Sequence, residues 1–328
     1  MKCEKVKKKT SIGGQALIEG IMMRGPEKTA MAVRNPEGEI VIESFPTAGK
    51  GRPRLFKLPF IRGVFNFVDS MSIGYRCLMR SAEIAGMEEE PKNKKATAAE
   101  AAVGEDNQEN QPKAAEDKNI GMTIILILSV LLGTVLAVGL FITLPAFLFN
   151  LLRKLIPALD NNIWRAVVEG LTRILLFILY LVAVSMMKDI KRVFMYHGAE
   201  HKTIFCYEKG EELTVENVRR QSRFHPRCGT SFMVFMLIIG IVVSIFITAQ
   251  NPFVSTGLKL LAIPVVVSVG YEMIKLAGKS ENRIVRALSM PGIWIQRITT
   301  REPTDDMIEV AITAFGEVVP DNQELDKY

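Results

Sequence analysis

Four long apolar runs, at about 121–149, 163–187, 229–250 and 257–277, alternate along the chain with charged and glycine-rich stretches. Each approaches or exceeds the ~20 residues needed to cross ~30 Å of hydrocarbon. The segment Ile124-Ile-Leu-Ile-Leu-Ser-Val-Leu-Leu-Gly133 is apolar on every face and lacks the polar stripe of a helix packed on a soluble core. The pattern predicts four membrane spans, the first bent by Pro145 near its outer end. It starts too late in the chain for a secretory signal peptide. The second run is expected to continue as one helix through Lys188, Tyr196 and His201.

The polar segments predict smaller elements. Thr29–Arg34 and Glu39–Ser44 alternate around Asn35-Pro-Glu-Gly38, the mark of a β-hairpin. The preceding Gly13–Gly25 segment has four glycines that permit tight turns and close backbone contacts. From Leu58 to about Ala85 the period is helical, with Phe60, Val64, Phe67, Met71 and Leu78 roughly on one face. That helix either lies on the membrane or docks on the spans. Residues 88–118 are charged and poor in large apolar side chains, a linker that cannot repay the entropy of ordering. Leu213–Ser222 and Glu309–Phe315 read as short helices. The fold class is therefore mainly α: a four-span transmembrane helical protein with a small N-terminal cytoplasmic α/β element. The divisions are 1–87, the linker 88–118, a membrane domain 119–290 carrying the loop 188–227, and a tail 291–328.

Charge orients this arrangement. The loop from Lys188 to Arg227 is rich in Lys and Arg, the turn from Gln250 to Gly257 has none, and Lys275, Lys279, Arg283 and Arg286 follow the fourth run. Both termini and the basic loop are expected on the cytoplasmic side of a bacterial cell membrane, although Arg153, Lys154 and Arg165 pull the other way. The net charge of +6 is met by anionic lipid headgroups. No zinc-finger spacing or aromatic RNA-binding signature points to nucleic acid. Four scattered cysteines form no disulfide framework.

Candidate chemistry is concentrated in His197-Gly-Ala-Glu-His201 and His225-Pro-Arg-Cys228, which hold all three histidines. On a helix, H-x-x-E-H puts two imidazoles on adjacent turns of one face. They suit zinc or another first-row divalent ion, with Glu200 placed to deprotonate a bound water. A third ligand is sought among His225, Cys228 and Glu272. The last is a carboxylate entering the fourth run, where it needs a partner; Lys275, Lys279 or a loop arginine would serve as well. Arg219, Arg220, Arg223 and Arg227 suit a lipid phosphate, or simple anchoring at the headgroups. Glu19, Arg24, Glu169 and Arg173 mark a second polar site, with Glu169 and Arg173 at i,i+4 spacing as an ion pair.

Three segments, Gly13-Gly-Gln-Ala-Leu-Ile-Glu-Gly-Ile-Met-Met-Arg-Gly25, Tyr196-His-Gly-Ala-Glu-His-Lys202 and Phe224-His-Pro-Arg-Cys-Gly-Thr-Ser231, resemble in order those of the YqhQ family of bacterial membrane proteins. The resemblance covers most of the chain apart from the linker. It implies a metal-dependent enzyme, with His197, Glu200, His201, His225 and Cys228 in the family's characteristic segments, and it implies no substrate. The expected activity is metal-dependent hydrolysis of a phosphoester or amide in a lipid-linked or membrane-protein substrate. A non-enzymatic scaffold with a structural ion or none, and an oligomeric transporter, are the alternatives.

Overall fold

The computed structural model describes residues 9–47, 58–87, 128–159, 161–249, 251–279 and 282–326. The linker 88–118 and the start of the first apolar run lie outside them. The fold is mainly α-helical with a small N-terminal β-sheet.

The sheet is an antiparallel meander of β1 (Gly13–Leu17), β2 (Gly20–Arg24), β3 (Lys28–Arg34) and β4 (Ile40–Pro46), in that spatial order. The β3–β4 hairpin turns at Asn35–Gly38 as its sequence predicts; Gly38 has φ 90° and the Asn35 side chain accepts from the Glu39 amide at 2.7 Å. The β1–β2 hairpin turns at Ile18–Glu19, with Glu19 at φ 49°. Strands β2 and β3 are covered on both faces. Ile21, Met23, Ala30 and Ala32 pack on Tyr196, Ala199, Ala311 and Phe315, whereas the alternate residues Met22, Met31 and Val33 pack on Ile73 and Cys77. This two-sided burial is why β2 reads Gly-Ile-Met-Met-Arg with no polar alternation.

Helix α1 (Ile61–Ile84) covers one face and also docks on the helical domain, as one of the two sequence readings had it. A Cβ on Gly63 would lie 3.0 Å from Ser268 and Tyr271, Arg62 grips Glu272 with both nitrogens (2.7 and 2.5 Å), and Asn66 donates to the Tyr271 hydroxyl. Phe65, Val68, Met71, Tyr75 and Met79 remain exposed on its other side.

The helical domain begins with α2 (Leu128–Leu155) and α3 (Asn162–Ser185), which are long and apolar enough to cross a membrane. Their outward side chains, Leu131, Val135, Leu171 and Leu175 among them, are exposed. Apolar helices without a polar face have lipid as their natural surroundings.

The expectation of four spans is corrected, among the described residues, to two helices long and apolar enough to cross a membrane, or three if a bent pair counts as one. Helix α6 (Gly229–Ile245) has 17 residues, a rise of about 25 Å against ~30 Å of hydrocarbon. The fourth run is broken at Ala262 into α7 (Pro252–Leu261) and α8 (Ile263–Lys279), bent by 40°.

Two further expectations change. The helix after α3 is separate: Met187 is extended (ψ 136°), so α4 runs from Lys188 to Glu208. Pro145 disturbs α2 through a π turn at Gly139–Thr143. Because proline lacks an N–H, the Phe141 carbonyl loses its ordinary helical partner, and Arg173 donates to it at 2.8 Å. Arg173 is therefore not paired with Glu169. That buried carboxylate is held by Arg165 at 2.9 Å and by Lys259.

Short helix α5 (Val215–Arg219), α9 (Arg283–Thr299, running through Pro291) and α10 (Asp305–Gly316) complete the α-helices among the described residues. Helix α6 packs on α3, α8 and α9, and α10 packs on α4 and the sheet.

The α3–α6 contact is close at Gly170, where a Cβ would lie 2.2 Å from Ile241 Cγ1. Gly170→Val should overpack this contact at a cost of about 1–3 kcal/mol. The expected result is a fall of several degrees in the melting temperature of the detergent-solubilised protein; an unchanged value would contradict this packing.

Candidate metal centre

Each residue of His197–His201 on α4 has a distinct task set by helical spacing. His197 and His201 share a face, with ring centroids 4.4 Å apart. Gly198 lies where the chain after α9 crosses α4; a Cβ there would fall 2.0 Å from the Arg301 carbonyl oxygen. Ala199 is buried in the core under the sheet. Glu200 faces β1: a Cβ on Gly14 would be 3.0 Å from its carboxyl carbon. The glycine in β1 thus lets the strand approach the site's carboxylate.

Two backbone carbonyls orient the imidazoles. His197 Nδ1 is 2.8 Å from Thr299 O, and His201 Nδ1 is 2.6 Å from Arg223 O. A carbonyl only accepts, so both Nδ1 atoms carry the proton in the neutral rings and both Nε2 atoms present lone pairs. The His197 Nε2 lies 3.1 Å from Cys228 Sγ. Cys228 caps α6, its sulfur also lying 3.5 Å from the Thr230 amide. One donor atom from each of His197, His201 and Cys228 lies within 4.8 Å of the other two. Zinc bonds of about 2.0–2.3 Å require donors of this type and nearly this spacing.

The electrostatics agree. Burial opposes charge on Cys228, yet the two histidines outweigh it and hold the thiol well below its usual range. Burial also opposes charge on His197, but the neighbouring sulfur pushes it up to about 9. Burial raises Glu200 against the pull of both histidines. By contrast Cys206, buried without a cation, is pushed up to about 11.

His225 stands beside this group, its ring 5.5 Å from that of His201. Its Nδ1 accepts from the Arg227 amide at 3.3 Å and its Nε2 faces Glu208 at 3.7 Å, so neither nitrogen is turned to the three donors. Burial pushes it down to about 4, and it is neutral at pH 7. Gln296 pins its backbone through two 2.7 Å hydrogen bonds. Glu272 is placed elsewhere, on Arg62, because α8 meets α1 and not α4 at that level.

The four arginines expected at a phosphate are engaged within the protein: Arg219 with Asp305, Arg220 with Glu216, Arg223 with Glu302 and the Thr300 carbonyl, and Arg227 with Glu208 and the Thr10 carbonyl. Glu19 binds Arg192 at 2.5 Å and Arg24 binds Asp69 at 2.6 Å, so with Glu169 and Arg173 they do not form a common second site. Sequence reasoning missed Thr299, Gln296 and Glu208. The first acts through a carbonyl that every residue type possesses, so no sequence signal marks it.

The three donors lie in an open cleft of about 880 Å³ between β1, α1, α4 and the starts of α6 and the Arg227 loop. This defines a helical protein with membrane-type helices and a His₂Cys metal-type cluster at the edge of a small sheet. By its sequence the chain belongs to the family described as protein of unknown function (DUF1385), whose model matches residues 58–321. It is 34% identical over 313 residues to the uncharacterized protein YqhQ of Bacillus subtilis (strain 168), covering 94% of this chain and 92% of that one. No solved structure matches.

Gly198→Ala must push residues 299–303 away from α4 and take the Thr299 carbonyl off His197. Zinc affinity, measured by competition with a chromogenic chelator, is expected to fall 10–100-fold with helix content unchanged. Equal affinity would show that the carbonyl contact does not matter.

Acid should act through Glu208. Burial opposes its charge, but His225 and Arg227 outweigh burial and hold its pKa below the ordinary 4.5. Its ionised form contributes stability above that ordinary value, and this is lost as pH falls through the lower folded value. Glu208→Gln should lower the melting temperature at pH 7 and flatten its decline below about pH 5. A variant as acid-sensitive as the wild type would refute the assignment.

Proposed function

We propose that this chain is a metal-dependent hydrolase held at a membrane, with its ion bound by His197, His201 and Cys228. The observation that carries this reading is the pair of Nδ1–carbonyl hydrogen bonds, which leaves two imidazole lone pairs aimed at a thiolate. Two buried donors and a half-buried one, converging without a cation between them, would repel one another. Three protein ligands beside an open cleft resemble catalytic zinc sites, which keep one position for water, more than closed four-ligand structural sites. Zinc is the ion that His₂Cys suits best. When bound, the ion supplies Lewis acidity and lowers the pKa of a water. Glu200, beside the donors and raised by burial, would act as the general base, taking a proton from an attacking water and returning it to the leaving group.

Topology supports a cytoplasmic site. Helices α2 and α3 enter and return, which puts the sheet and α4 on one side, and Lys188, Lys191 and Arg192 directly follow α3. The bilayer is then the constant partner, and both termini are cytoplasmic.

A second reading has a specific observation behind it. Cys228 at a helix N-terminus, with His197 at 3.1 Å and Thr299 O behind the imidazole, is also a thiol nucleophile, base and orienting group. The second imidazole, aimed at the same sulfur, favours the ion.

Elemental analysis of the purified full-length protein separates the two. About one zinc per chain is expected, lost in His201→Ala and in Cys228→Ala and retained in Glu200→Gln. Folded wild-type protein that takes up no stoichiometric metal would refute the metal reading and leave the thiol one.

A further inference from the structure

β1 is an edge strand. It pairs with β2 on one side and with no strand on the other among the described residues. Leu17 and Gly20 close the two-residue turn as a hydrogen-bonded pair, so Gly13, Gln15 and Leu17 turn their backbone groups to β2 and the Gly14 and Ala16 amides face the open edge. Gly13, Gly14, Gln15 and Ala16 line the same cleft as His197, Glu200, His201 and Cys228. Met71, Met233 and Ile274 give the same cleft an apolar wall.

A phosphoester needs cations to receive it. The cleft's two arginines, Arg24 and Arg227, are held by Asp69 and Glu208, and Arg219, Arg220 and Arg223 also meet carboxylates. What the cleft offers instead is unpaired strand backbone and apolar surface, the two features by which an extended peptide is recognised.

We propose that the substrate is an extended polypeptide segment that adds as a strand to the free edge of β1, which sets one of its amide bonds beside Glu200 and the His197–His201–Cys228 group. The cleavage step, though not the strand addition, rests on the hydrolase reading above. An added strand runs about 4.8 Å from β1. Hydrolysis bonds the water oxygen to the amide carbonyl carbon and breaks the C–N bond. Glu200 takes the water proton and passes it to the departing amine, leaving a carboxylate and an ammonium as products. Specificity comes from alternate side chains entering the apolar wall, and affinity from the backbone ladder.

The test uses the zinc-loaded full chain in detergent and a library of unfolded peptides made by digesting a bacterial proteome, with cleavage read by mass spectrometry. Immobilised Glu200→Gln is used in parallel to retain peptides without cutting them. Ala16→Pro removes the edge-facing donor while sparing the β1–β2 ladder. It is expected to lower both cleavage and retention at least tenfold at unchanged zinc content, whereas Ala16→Ser keeps both. Should Ala16→Pro fail to fold, Gly13→Leu fills the cleft from a position where a Cβ meets nothing within 4 Å, and the same loss is expected. Cleavage by either folded variant at the wild-type rate overturns strand addition. So does turnover of bis(p-nitrophenyl) phosphate with no peptide cut or retained, an outcome that leaves the hydrolase reading standing. Peptides retained in an Ala16-dependent manner but never cut would uphold the strand addition and refute the hydrolase.

Discussion

Two backbone carbonyls, those of Thr299 and Arg223, decide what His197 and His201 can do. Each carbonyl accepts a hydrogen bond from an Nδ1–H, and the neutral imidazoles are left with an acceptor Nε2 for the cluster with Cys228. In a buried setting such a convergence is tolerable only with a cation at its centre, whether a metal ion or a proton. With a proton alone, His197 carries the charge and the sulfur is a thiolate, which is why one pKa rises while the other falls. The surrounding fold holds the two carbonyls in place. Gly198 admits the Arg301 backbone against α4, Arg301 N–H reaches Phe194 O at 2.8 Å, and Gln296 fixes the His225 backbone from α9.

Much of the centre was legible in the sequence because it depends on side-chain type and local spacing. H-x-x-E-H places its imidazoles together on any helix, and a cysteine three residues after a histidine at the start of an apolar run brings a soft donor to the same level. Glu272 illustrates where such reasoning ends. A carboxylate in an apolar run announces that it needs a partner without saying which, and the choice of Arg62 follows from α1 docking on α8 through Gly63. Arg219 and Arg223 were equally undetermined, since their carboxylates, Asp305 and Glu302, come from distant segments, whereas Arg220 meets Glu216 on its own helix four residues earlier.

The fold was read with the same asymmetry. Hydropathy reports that a run is apolar but not that it is one straight helix. It could not anticipate the bend at Ala262, the short α6 or the break at Met186–Met187. The β3–β4 hairpin declared itself through a polar turn and alternation, whereas β2, buried on both faces, had no alternation to show. The Gly13–Gly25 segment looked unusual for a reason that only the tertiary structure supplies: Gly14 must admit the Glu200 carboxyl, and a side chain there would also press on the Met22 carbonyl.

The centre also joins the two halves of the molecule. His197 and His201 belong to α4, whose far side is sealed against the sheet and α10, while Cys228 is the cap of α6, which packs on α3, α8 and α9. Metal–donor bonds are short and directional, so an ion held by these three residues would tie the position of α6 to that of α4 and the sheet. β1 contributes to the same cleft through Gly14. A displacement of the helical domain would therefore alter donor spacing and cleft width together. Placing the donors on both sides of this junction makes their spacing a direct function of how the helical domain sits against the sheet.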